Sequence, residues 1–264
     1  MILPAEYPEA LYTPDTLTRL RNAAPGSVAI ASLAGRDSVA AIVQSVRERG
    51  FTTIVPTSVA TGTEYGSLEE ITHAMNFTRE SLPPEVEVLD FVRFGSPQLW
   101  RALNGRFASI VQDRFGLNSP CLACHLYVHL ARIPLSLAIG GVPIITGERD
   151  THDGHIKLSQ TVDSIDAEVR VAARASIELL VPIRGYSHAD VDLLVPGWDP
   201  GDRQLSCVHS GNYRGLDGTT IYDRDQHIGY VNGFYEPAGN AVVDAWLGGD
   251  PEPDYVALVA GVLA

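Results

Sequence analysis

The sequence predicts an α/β protein, a parallel sheet wrapped by helices, with a small C-terminal appendage. Three observations carry that expectation. Over the first two-thirds of the chain, short apolar β-rich runs alternate with segments of helical periodicity. At residues 27–49 a compact apolar run passes through a small-residue loop straight into a helix. Past Pro196 the texture changes, and Gly, Pro and Asp dominate to Gly218. The 264 residues suit one large domain with an appendage, divided here as 1–204 and 205–264.

The elements follow in order. Thr13-Pro14 pairs an N-cap with proline at the first helical position and opens a short helix to about Asn22. Residues 27–31 form a buried strand. The next helix carries Val39, Ile42, Val43 and Val46 on one face and ends at Gly50. Residues 51–60 form the second strand. Ser67 and Glu70 read as a capping box for a helix bearing Ile71, Ala74 and Met75. Residues 86–94 form the third strand. Leu99, Leu103, Phe107, Val111 and Phe115 keep helical spacing in one helix that ends at Gly116. Pro120 opens another, kinked at Pro134. A fourth strand at 142–146, a helix at 163–176 and a strand at 178–183 complete the α/β part. Ser187 with Asp190 caps a short helix, a hairpin spans 219–231, and two short helices finish the chain. These last are apolar enough to dock on the domain or on a second subunit, which leaves a homodimer open.

Charge narrows the partners. There are 32 acidic and 19 basic residues, a net of −13. Extensive nucleic-acid binding needs a basic surface, so the expected partner is a small molecule. Of the basic residues 18 are Arg and one is Lys, Lys157. A lysine kept against such an arginine bias marks itself as a candidate. No run approaches about 18 consecutive apolar residues, and no basic segment precedes an apolar one at the start. A cytoplasmic protein with no membrane span is expected. Three cysteines, Cys121, Cys124 and Cys207, are odd in number and too few for a disulfide scaffold.

Three segments carry chemistry. The loop from Ser32 to Ser38 leaves backbone N–H groups at a helix N-terminus, which favours an anion. Gly35 permits close approach, Ser38 adds a hydroxyl, and Asp37 can position a metal or cap the helix. An ordinary loop between strand and helix accommodates the same residues. Cys121-Leu122-Ala123-Cys124 sits at a helix start, where thiol pKa values are expected to fall. With Cys207, 86 residues beyond Cys121, it suits a metal, and His125, His129 or His209 can complete a zinc site. The polar run after the fourth strand offers Lys157 and Arg149 for phosphates, Glu148 or Asp153 for magnesium, and His152 and His155 for proton transfer or metal ligation.

Gly35-Arg36-Asp37-Ser38 resembles the last four positions of the PP-loop of the ATP pyrophosphatase superfamily (adenine nucleotide alpha hydrolase-like), whose pattern is Ser-Gly-Gly-x-Asp-Ser. Leu33 and Ala34 depart from it. The resemblance implies a Rossmann-like, doubly wound sheet of the HUP type. It also implies ATP with Mg2+, and adenylation of a substrate oxygen before a nitrogen or sulfur nucleophile displaces AMP. The nucleotide site is then Ser32, Ala34, Gly35, Arg36, Asp37 and Ser38, with Thr61, Gly147, Glu148, Arg149 and Lys157; Lys157 and Asp37 are the catalytic candidates. A PP-loop followed by C-x-x-C and one distant cysteine is similar to iron–sulfur-dependent tRNA thiolation enzymes. That implies a [4Fe–4S] cluster on Cys121, Cys124 and Cys207, a sulfur donor, and an acceptor that is a small molecule, a nucleotide or a tRNA base. An ATP-dependent amide or amine ligase with Zn2+ or no metal, and a non-catalytic nucleotide-binding module, are the alternatives.

Overall fold

Thr13 accepts the Thr16 N–H and opens α1 (Pro14–Arg21), as the Thr-Pro pair predicts. The computed structural model describes residues 12–199 and 204–264. β1 (Val28–Ser32) leads into α2 (Arg36–Arg49), which stops at Gly50 in the left-handed conformation. β2 (Thr53–Val59) follows, then β3 (Glu64–Tyr65) and α3 (Glu69–Ser81). The Ser67 hydroxyl accepts the Glu69 N–H, and the helix begins at Glu69.

Two expectations need correction here. The third strand is two short pieces, β4 (Glu87–Val88) and β5 (Val92–Phe94), which both pair with β2 and break around Asp90. The helix expected over 99–115 is also two, α4 (Pro97–Asn104) and α5 (Ala108–Phe115). Gly105 caps α4 through its N–H to the Arg101 carbonyl, and the low helical propensity of glycine permits the turn.

α6 (Pro120–Leu130) and α7 (Ile133–Ala138) divide just ahead of Pro134. Together Pro120–Ala138 has the length and hydropathy of a membrane span, but 61% of the window is buried inside the protein. It is a core element that bears His125, His129 and Arg132. β6 (Ile144–Ile145), α8 (Val162–Arg174), β7 (Leu179–Leu180) and α9 (His188–Leu194) complete the α/β part. Ser187 and Asp190 form the expected capping box.

β8 (Ser206–Cys207) pairs antiparallel with β3. The hairpin expected over 219–231 is instead α10 (Arg224–Tyr230), with a single bridge between Arg214 and Thr220. The Asp223 carboxylate accepts the N–H groups of Asp225 and Gln226, and this cap outweighs the β-branched residues before it. α11 (Glu236–Leu247) packs on α8, and α12 (Tyr255–Leu263) packs on α4.

The sheet runs β4-β2-β1-β6-β7, with β5 also on β2, and every pairing is parallel. β1 is its centre. Alternate residues serve opposite faces: Val28 and Ile30 join the core under α4, α6 and α8, while Ala29 and Ala31 face α2, α3 and α9. The protein is an α/β fold with helices on both faces of a parallel sheet. Tyr230, Phe234, Val242 and Val259 from the C-terminal helices share a core with Ile30 and Val55.

Candidate functional site

The order of the strands dictates where a ligand fits. From β1 the chain moves to β2 on one side and reaches β6 on the other. At that reversal the loops leaving β1 and β6 diverge and open a crevice at the C-terminal edge. A cleft of about 570 Å³ lies there, within the range of small-molecule sites. Ser32, Ala34, Gly35, Arg36, Asp37, Ser38, Gly147, Glu148, Arg149 and Lys157 all line it. Thr61 does not; its N–H bonds the Glu64 carboxylate, and it sits toward β3.

The loop between β1 and α2 is organised by Ser38. Its hydroxyl accepts the N–H groups of Ala34 and Gly35, 3.0 Å each, and donates to the Gly35 carbonyl. The Ser32 hydroxyl accepts from buried Arg132, which also holds the Thr57 hydroxyl. Gly147 lies hard against α2: a Cβ there would meet the Asp37 carbonyl carbon and Ser38 nitrogen at 2.7 Å.

Asp37 and Arg149 are partners. Arg149 Nε stands 3.0 Å from Asp37 Oδ2, and Arg36 Nε holds Oδ1 at 3.2 Å. The buried Arg149 also donates to the carbonyls of Thr151 and Tyr186. Asp37 and Arg149 therefore brace the loop. Lys157 is half-buried; burial lowers its pKa and the charge of Asp37 opposes the shift. His152 is buried, and burial with Lys157 and Arg149 lowers it to about 4, so it is neutral near pH 7. His188 pairs with Asp153 at the outer rim.

One wall of the cleft is a buried polar group. His125 Nδ1 lies 3.2 Å from Glu148 Oε1, and His129 Nε2 lies 3.7 Å from the same oxygen. His129 Nε2 is also 3.4 Å from Glu168 Oε2, and Tyr235 donates to the other Glu168 oxygen at 2.6 Å. Gln160 donates to Glu148 Oε2. Burial disfavours the His129 imidazolium, but Glu168 and Glu148 overcome this and raise it to about 9; His125 is raised too. Burial likewise opposes ionisation of Glu148, and His125 and His129 hold it well below the usual carboxylate range. Sequence reasoning did not assemble this group. The signal was there in His125 and His129, four residues apart on one helical face.

The cysteines are drawn to a neighbouring place. Pairing of β3 with β8 sets Cys207 opposite Glu64, with Thr63 Oγ1 3.3 Å from its sulfur and the His209 N–H directed at it. Cys121 Sγ donates to the His209 carbonyl at 3.1 Å. Cys124 lies one helical turn from Cys121, and the charges of Cys121 and Cys207 both act on it. All three thiols are free. The expected lowering of thiol pKa at the start of α6 is reversed. Burial pushes Cys124 up to about 12 and raises Cys121, and the helix terminus does not compensate.

No protein-family model matches the chain. The uncharacterized protein MJ0009 of Methanocaldococcus jannaschii is 34% identical over 216 residues, covering 80% of this chain and 78% of its own. At that identity and coverage the chain belongs to the same family as this archaeal protein.

Proposed function

We propose that this protein is an ATP-dependent adenylating sulfurtransferase of the HUP, PP-loop type. Its acceptor is a small molecule or a nucleotide or tRNA base, and its three cysteines hold a [4Fe–4S] cluster. The observation that carries the reading is a juxtaposition. Cys121 and Cys207 both bond the His209 backbone, Cys124 lies one turn along α6 from Cys121, and the residue after Cys124, His125, lines the cleft beside the loop of α2.

Thiolate is the donor type that such a cluster takes. The N–H groups of Gly211 and Asn212 favour the thiolate of Cys121, as backbone N–H groups do around cluster sulfurs. Among the described residues, only the His125–His129–Glu148 group brings three ligand atoms within 4.8 Å of one another. When bound, a cluster on three thiolates supplies one open iron for sulfide.

The chain's own residues supply the rest. The N-terminus of α2 and the Lys157 ammonium face the cleft, where they stabilise charge on the pyrophosphate that leaves as a substrate oxygen attacks the α-phosphorus. When bound, Mg2+ would share that charge with them. Arg149 holds Asp37, and the Ser38 hydroxyl takes the Ala34 and Gly35 N–H groups, so the loop is fixed ahead of the first turn of α2. A sulfur nucleophile then takes the carbon and AMP leaves with the oxygen. Anaerobic purification tests this. Brown protein with about four iron and four labile sulfide per chain, and ATP-dependent pyrophosphate release, is expected. Iron-free protein from anaerobic cells overturns the sulfur chemistry, and failure to bind ATP overturns the nucleotide site.

A further inference from the structure

We propose that His125, His129 and Glu148 form a mononuclear site for a borderline first-row divalent cation, such as Zn2+ or Fe2+, that opens into the cleft. The site is separate from the cysteines and does not rest on the sulfur-transfer reading.

Geometry is the first argument. Four ligands around a cation at ~2.1 Å stand about 3.4 Å apart along a tetrahedral edge. His125 Nδ1 to Glu148 Oε1 is 3.2 Å, and His129 Nε2 to that oxygen is 3.7 Å. All three ligand atoms fall within 4.8 Å of one another. The two histidines are i and i+4 on α6, so one helical face presents both, and Glu148 arrives from the loop after β6.

Unmet bonding is the second argument. His129 is 4% exposed and its Nδ1 has no partner, while His129 Nε2, His125 Nδ1 and Glu168 Oε2 meet only ion-pair contacts of 3.2–3.7 Å and no hydrogen bond. A cation at the three ligand atoms would replace these long contacts with coordinate bonds. Glu168 Oε2, 3.4 Å from His129 Nε2, gives a further oxygen beside the site. Two imidazoles with carboxylate select a borderline cation over Mg2+. His125 and Glu148 both line the cleft, so the position left open faces a substrate oxygen or water.

The test uses the full chain, chelator-treated and titrated anaerobically with Zn2+ and Co2+. One equivalent should bind in a nitrogen/oxygen shell with imidazole scattering in Zn K-edge absorption. The cobalt form should give visible d–d bands for that equivalent without a sulfur-to-cobalt charge-transfer band. Glu148→Gln and His129→Gln, each checked for native circular dichroism, should weaken that equivalent by more than the ~10–100-fold that loss of outer partners costs. Where His129→Gln does not fold, Glu148→Gln and the wild-type absorption edge decide. No bound metal, a shell of sulfur alone, or unchanged affinity in Glu148→Gln would overturn the site and leave a histidine–carboxylate cluster. Those outcomes differ from failure of the cluster reading, which is scored on iron and labile sulfide.

Discussion

Gly147 rests against the peptide that joins Asp37 to Ser38, so closely that any side chain would collide with backbone at 2.7 Å. The loops leaving β1 and β6 are locked by this contact. Backbone cannot rotate aside as a flexible side chain does. Gly147→Ala should therefore destabilise the fold by about 1–3 kcal/mol, the usual cost of overpacking. It should weaken nucleotide binding by more than the stability loss accounts for. Urea denaturation and equilibrium dialysis with ATP check both halves; an unaltered loop affinity would show that the contact is incidental.

Lys157 carries the phosphate side of the proposal. A lone ammonium acts as a point charge, so Lys157→Ala should lower ATP-dependent turnover by one to three orders of magnitude, about 1.4–4 kcal/mol in barrier, at unchanged melting temperature. Lys157→Arg should restore only part, because a planar fork presents its donors differently. Steady-state pyrophosphate release measures it. A fully active Lys157→Arg would return the residue to the solvated loop.

His152 makes stability depend on pH. The unfolded histidine titrates near 6.5, and the folded one near 4 because burial, Lys157 and Arg149 all oppose its charge; Asp37 acts the other way. Between those values the unfolded chain binds more protons. The contribution of His152 is thus complete above about pH 6.5 and is lost as pH falls to about 4, about 3 kcal/mol in all. Urea midpoints from pH 4.5 to 7.5 should fall more steeply toward acid for wild type than for His152→Gln. Parallel curves would refute the assignment.

Tyr127 fastens α6 to the sheet. Its hydroxyl donates to the Ala60 carbonyl at 2.8 Å and accepts the Ser96 N–H at 2.9 Å. Tyr127→Phe keeps the ring but strands both backbone groups, so a loss of about 1–3 kcal/mol is expected in chemical denaturation. A loss under 0.5 kcal/mol, roughly that of an ordinary surface change, would mean water replaces the hydroxyl.

Local features were legible in the sequence. Residues 27–49 announce strand, loop and helix because each signal lies within a few residues: an apolar run, Gly35, then apolar positions at helical spacing. Lys157 stood out by composition alone and lines the cleft. What failed depends on distance along the chain. Glu148 joins His125 and His129 only because β6 and α6 pack together. The thiols of Cys121 and Cys124 are raised by burial, and Cys207, far along the chain, adds to the shift. α10 hid behind Thr219, Thr220 and Ile221, since its deciding signal was one carboxylate, that of Asp223.

The pairing of β3 with β8 joins Thr63 to a sulfur 144 residues later. Contacts of that span close late, because the loop entropy must be met before any bond rewards it. During synthesis, Cys121 and Cys124 emerge before Cys207. Until then the two thiols are an open pair with no third partner. The proposed cysteine centre would thus be completed only after Cys207 is made. A chain halted before residue 207 has two of the three thiols, and the core it shares with Tyr230, Phe234, Val242 and Val259 is not yet closed.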